Sequence, residues 1–192
     1  MELIYVLAIV LQVGILIFFF RRSMGKKKKQ EKIVAVPSSM TSYESSRYTA
    51  LHVTPDNLNL QIPPSLTKVY GVVMDWDMGG TLLTLSAYIN GAANAFLSSG
   101  ASAMGGGNDP TVAEQASEFV VIAQDYLNRA VPVSDLGFPP PGTVRFYLLT
   151  NRGIYAVQEL LALINDNSSP LLGLFFRGNM LLDEIKASKA GK

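Results

Sequence analysis

The chain contains no cysteine, which removes a disulfide framework, a thiolate nucleophile and any zinc site built on sulfur. Histidine is almost as scarce: His52 is the single one and falls in the stretch read below as a linker, so a histidine-cluster metal site is excluded and the expected domain has no histidine to serve as the base of a Ser-His triad. Cations are few beyond residue 32. There, nine Lys and Arg face thirteen Asp and Glu, a net charge of −4. A nucleic-acid-binding domain needs a basic face, and this stretch has too few cations to make one. No cofactor or metal ligand set is expected on these grounds.

What is present begins with an apolar run. Leu3 to Phe20 carries no charge and one amide, Gln12. As a helix it extends roughly 27 Å, close to the hydrocarbon thickness of a bilayer. A cleavable signal would have a basic start, a shorter apolar core and small residues at its end. Here Glu2 precedes the run and Phe18-Phe19-Phe20-Arg21-Arg22 closes it, so the reading is an uncleaved, single-pass anchor at 1–22 with a basic flank to 32. Arg21, Arg22, Lys26, Lys27, Lys28 and Lys29 all follow the run. By the positive-inside rule that flank and the domain behind it lie in the cytoplasm, at an inner or plasma membrane. Anionic lipid is a partner for the flank, at about 1 kcal/mol per charge near the surface.

From Ile33 to Ser65 the composition turns to Ser, Thr, Tyr and Pro, read as a linker of about 30 residues, with Tyr48 to Val53 as a candidate extended piece. A globular domain is expected over 66–188, with 189–192 as a tail. Its firmest pattern is a strand in which Tyr70, Val72, Met74, Trp76 and Met78 share one buried face. Val69, Gly71, Val73, Asp75 and Asp77 share the other. Gly79-Gly80 turns into Thr81 to Ile89, and Asn90-Gly91 suits a two-residue type I′ hairpin into Ala92 to Ser99. Asp109-Pro110 reads as an N-cap and first helical residue. Val112, Ala116, Phe119, Val120, Ala123 and Leu127 form its apolar stripe. Thr143 to Thr150 is a fourth strand, and Ile154 to about Glu159 a fifth, with helix over Val157 to Ile164 as the alternative reading. Pro170 to about Ser188 is a final helix that Gly173 and Gly178 weaken. The fold class is therefore α+β: a two-layer domain with an antiparallel sheet of about five strands, order βββαββα, and two amphipathic helices.

Over Gly91 to Gly107 and Gly142 to Thr150, with Gly142-Thr143-Val144-Arg145-Phe146-Tyr147-Leu148-Leu149-Thr150 the most distinctive string, the domain resembles a family of uncharacterised bacterial proteins. The resemblance implies the order βββαββα and brings no activity, cofactor or site residues.

Candidate chemistry is thin. Asp75 and Asp77, about 7 Å apart on one strand face, have the spacing to hold a hard cation or act as acid and base. The plainer reading is the solvent face of an amphipathic strand, on which substitution to Asn changes little. Gly105, Gly106, Gly107 and Asn108 precede a helix and can offer main-chain N–H groups to an anion. They lack the G-K-[ST] and G-x-G-x-x-G patterns, and Asp109 as a cap competes for the same donors. Gly100 to Met104 misses the nucleophile elbow, and Ser65-Leu66-Thr67-Lys68 lacks the companions of an S-x-x-K enzyme. No catalytic residue is assigned. The expected function is a non-catalytic interaction or sensing module with a protein partner. The alternative is a small hydrolase or ligand-binding domain using Asp75, Asp77 and the loop 105–108.

Overall fold

Thr41 starts a helix that hydrophobic periodicity does not announce. Its hydroxyl accepts the Glu44 N–H at 3.3 Å, and its own N–H donates to the Glu44 carboxylate at 2.8 Å. This reciprocal cap satisfies two of the donors a helix start leaves open, and helix α1 runs Ser42–Leu51. A 3-10 turn at Pro55–Leu58 follows, closed by Asn59 in the left-handed region. The structure, a computed structural model, describes residues 40–100, 102–105 and 109–190. The expected anchor at 1–22, its flank to 32 and the first part of the linker lie outside the described residues, as do Gly106, Gly107 and Asn108. Among the described residues no helix is long and apolar enough to cross a membrane.

The sheet follows: β1 Val69–Asp77, β2 Leu82–Tyr88, β3 Ala93–Leu97 and β4 Ser102–Gly105. Helix α2 (Pro110–Ala123) runs into a 3-10 stretch, Gln124–Arg129, and the two-residue strand β5 (Val131–Pro132). Then come β6 Thr143–Thr150, β7 Gly153–Leu160, the short helix α3 Leu161–Asn165 and the long helix α4 Leu172–Ala190. All pairings are antiparallel, in the order β4-β3-β2-β1-β6-β7-β5. The α+β class and the meander β1 to β3 stand as read.

Several expectations need correction. The stretch 33–65 is not a spacer over its described part: α1 packs on the sheet, and Val53, Leu58, Leu60 and Ile62 pack beside it. Tyr48 to Leu51 is helical, not extended. The domain therefore has three layers and not two. On one sheet face, Val72, Met74, Leu85, Phe146 and Leu148 meet Phe119 of α2 and Leu174, Leu181 and Ile185 of α4. On the other, Tyr70, Val73, Tyr88, Tyr147 and Leu149 meet Ala50 and Leu51 of α1. Tyr70 is on this second face because the register of β1 against β6 slips between Val69 and Gly71. A bulge adds one residue and reverses the alternation before it, so Val69 joins the helix-bearing core instead.

The hairpin after β2 is also different. Gly91 has φ +86° while Asn90 does not share the positive φ that a type I′ turn demands of both residues. Gly91 N–H bonds the Tyr88 carbonyl at 2.9 Å, as in a type I turn closed by a left-handed glycine. A Cβ there would stand 2.8 Å from the Ala113 Cβ of α2, so the glycine lets turn and helix touch. Gly178, expected to weaken α4, has a packing reason of the same kind: its missing Cβ would sit 2.9 Å from the Met74 Sδ. The small-residue run after β3 holds the edge strand β4, with Gly105 opposite Ala93. In α2 the Asp109 carboxylate accepts the Thr111 and Val112 N–H groups, and Val112, Ala116, Phe119, Val120 and Ala123 are the buried residues, as the stripe requires.

Candidate functional site

Asp75 does not face solvent. Its exposure is 0 %, and Arg47 of α1, 7 % exposed, lies over it. One Asp75 oxygen accepts Arg47 Nε at 2.7 Å and Nη2 at 2.6 Å; the other accepts the Thr84 hydroxyl at 2.5 Å. Since the Thr84 proton goes to Asp75, the Tyr43 hydroxyl donates to Thr84, 2.8 Å away. The expectation of a solvent-facing aspartate fails because a cation 28 residues upstream covers it. Burial opposes the charge on Arg47, but Asp75 outweighs that opposition and holds the guanidinium above its usual range. Burial likewise pushes the Tyr43 hydroxyl up.

The same network clamps the loop before β6. The Gly137 carbonyl accepts the Tyr147 hydroxyl at 2.5 Å, Arg47 Nη2 at 3.1 Å and Arg145 Nη1 at 3.3 Å. Phe138 then covers Arg47, its ring centroid 4.7 Å from the guanidinium carbon, a cation–π contact. Among the described residues no buried side-chain polar atom lacks a hydrogen-bond partner. Both Asp75 oxygens are engaged: the carboxylate holds α1 on the sheet through Arg47, and Arg47, Arg145 and Tyr147 hold the 133–138 segment at the Gly137 carbonyl.

Asp77 is separate from this network. At the end of β1, one of its oxygens accepts the Gly142 N–H at 2.6 Å and the other accepts Gly79 and Gly80 at 3.2 and 3.3 Å. The Gly142 and Gly80 N–H groups hold its carboxyl below the usual carboxylate range. It ties the β1–β2 turn to the loop entering β6. The two aspartates thus serve different structures, and Gly105 belongs to the β4 edge. Among the described residues no group of three or more His, Cys, Asp or Glu could hold a metal ion.

The residues that matter around Asp75 carry no motif. Arg47, Tyr43, Thr84 and Tyr147 come from three elements and meet only in the fold. The one local signal is Thr41-Ser42-Tyr43-Glu44, a capping-box string that marks a helix start and so places Tyr43 and Arg47 four apart on one helix face.

Two clefts flank the covering segment. One, about 350 Å³, lies between α1 and residues 134–138, with Tyr48, Leu51, His52 and Leu136 among its walls. The other, about 470 Å³, lies at the β5 edge and contains Arg129, Arg145, Asp135 and Gln158 against Val131 and Val133. No family model, no curated protein and no solved structure matches this chain.

Proposed function

We propose that the protein is a membrane-tethered docking module: a non-catalytic domain held by a single span at residues 1–22 on the cytoplasmic side of an inner or plasma membrane, where it recruits or senses a protein partner. The tether rests on the uncharged run Leu3 to Phe20 and on the basic flank Arg21, Arg22 and Lys26 to Lys29. The observation that carries the docking role is the state of the acidic pair. Asp75 is buried and committed to Arg47 and Thr84, while both oxygens of the partly exposed Asp77 accept main-chain N–H groups of the adjoining turn and loop, so the two do not form the pair of open carboxylates that hydrolysis or cation binding needs. The competing hydrolase reading loses its carboxylates for that reason.

Three measurements on the full chain test this. A reporter fused after Lys192 should behave as cytoplasmic, and the protein should resist alkaline carbonate extraction from membranes. Its melting temperature should not move with millimolar magnesium, calcium or manganese or with nucleotides, whereas a binder of any of these would melt higher by mass action. A cation-dependent rise would overturn the non-catalytic reading; extraction with carbonate would overturn the tether.

A further inference from the structure

At the far edge of the sheet β5 pairs only with Tyr155 and Ala156 of β7, and Val133 N–H continues the pairing to the Ile154 carbonyl at 2.9 Å. Main-chain groups of an antiparallel strand alternate between its two sides. Ile154 faces the β5 side, so Ala156, Gln158 and Leu160 do as well. The Leu160 N–H is taken by the Glu159 carboxylate at 3.0 Å. Gln158 is exposed, and among the described residues no strand runs beside it on that side.

This free edge opens on the cleft of about 470 Å³. Val131 and Val133 give it apolar walls, and its charges are Arg129 and Arg145 against Asp135, whose carboxylate accepts the Gly137 N–H at 3.0 Å. Arg145 is fixed in place without a counter-ion. Its Nε and Nη2 donate to the Gln158 amide oxygen at 2.9 and 2.5 Å, and its Nη1 reaches the Gly137 carbonyl and the Tyr147 hydroxyl, both at 3.3 Å. All these acceptors are neutral. The ion pairs among the described residues use Arg47, Arg177 and Lys186 instead.

We propose that this edge docks an extended, acidic peptide segment of a partner protein, which adds as a strand beside Gln158 and sets a carboxylate against Arg145 and Arg129. The proposal rests on the docking role argued above and names its surface. Strand addition uses main-chain hydrogen bonds for affinity and flanking pockets for alternate side chains; the edge supplies the first, and the apolar walls and the oriented guanidinium supply the second. A surplus of cation selects the sign of the partner. A small carboxylic acid would use the arginines and leave the Gln158 main chain idle. Nucleic acid would need a wider basic face than two arginines on a stretch of net charge −4.

The test uses the full chain in neutral detergent and fluorescence anisotropy of two labelled decapeptides, one alternating Val and Glu, the other alternating Val and Lys. Saturable binding is expected for the Glu peptide and none for the Lys peptide. Arg129→Ser, at an exposed site, should weaken the Glu peptide several-fold. Gln158→Pro should weaken it about tenfold or more, because it deletes the edge N–H while sparing the ladder to β6. Gln158→Ala loses the same amide hold on Arg145 but keeps that N–H, so it should weaken the Glu peptide less than Gln158→Pro does, and both variants should keep the wild-type melting temperature to within a few degrees. No saturation up to about 1 mM peptide, equal binding of the Lys peptide, equal effects of Gln158→Pro and Gln158→Ala, or full displacement by glutarate at peptide-like concentration would each overturn the proposal. Peptide binding by a protein that carbonate extracts would overturn the tether alone; a tethered protein that binds no peptide would overturn the docking edge alone.

Discussion

Taking a carboxylate out of water costs several kcal/mol, and the cost is offset only where a partner charge and hydrogen bonds meet it in good geometry. Asp75 satisfies that condition through Arg47 on one oxygen and Thr84 on the other, so the pair is tolerable intact and damaging when split. Asp75→Asn and Arg47→Met each leave one buried group unmatched and are expected to cost about 3–5 kcal/mol, read as a lower urea midpoint at unchanged slope. The double variant should lose less than the two single losses combined, because no bare charge remains. Strict additivity would mean that the two side chains act independently. At the alkaline end, burial pushes the Tyr70 hydroxyl up to about 12 from an ordinary 10.0, and pushes Tyr88 up as well. Folded values above the unfolded one mean that this stability is complete below pH 10 and is lost as the pH climbs toward 12. The melting temperature should therefore hold level to about pH 9 and fall above 10. Tyr70→Phe should reduce that fall, and an unchanged alkaline slope in the variant would remove Tyr70 as a cause.

Elements were legible where the buried side is apolar and periodic. The α2 stripe from Val112 to Ala123 needs nothing beyond helical spacing and a cap, and the strand Thr143–Thr150, buried almost throughout, nothing beyond a short apolar and aromatic run between turn residues. Helix α1 fails that test for a physical reason: its buried residues Tyr43, Arg47, Ala50 and Leu51 stand at helical spacing, but the second is a guanidinium. Only the capping string Thr41 to Glu44 betrays the helix. Strand β4 is hidden by composition, since Ser102, Ala103 and Gly105 have little strand preference of their own and are held by pairing with β3. The turn into β3 was legible as a turn but not in its type, because the sequence does not carry the proximity of Ala113. That proximity makes a prediction at this scale. Gly91→Ala places a side chain at φ +86° and 2.8 Å from the Ala113 Cβ, and should cost about 2 kcal/mol or more. Gly91→Ala paired with Ala113→Gly should recover the clash component and leave the backbone strain; no recovery would mean that turn and helix do not press on each other.

At the scale of the whole molecule the sheet is a middle layer, and its second cover comes from a stretch that composition assigns to a spacer. The candidate site follows the same rule. Asp75 and Asp77 can be found in the sequence as an acidic pair, but their roles cannot, because one is decided by α1 and the other by the loop at Gly142. Equally, Arg145 reads as one more strand residue until β5 proves too short to cover the edge beside it. A domain starting at 66 would thus be incomplete: cutting the chain near Pro63 removes Arg47 from Asp75 and uncovers Tyr70, Val73, Tyr88 and Tyr147. A fragment spanning 40–190 is expected to melt in one cooperative transition and to bind little of the dye ANS. The fragment 63–190 should keep strand and helix signals in the far ultraviolet, bind ANS strongly and lose the sharp transition, the behaviour of a chain whose packing on one face is gone. If the shorter fragment melts cooperatively within a few degrees of the longer one, α1 is an ornament on a two-layer domain, and the Arg47–Asp75 pair is not what closes the second face.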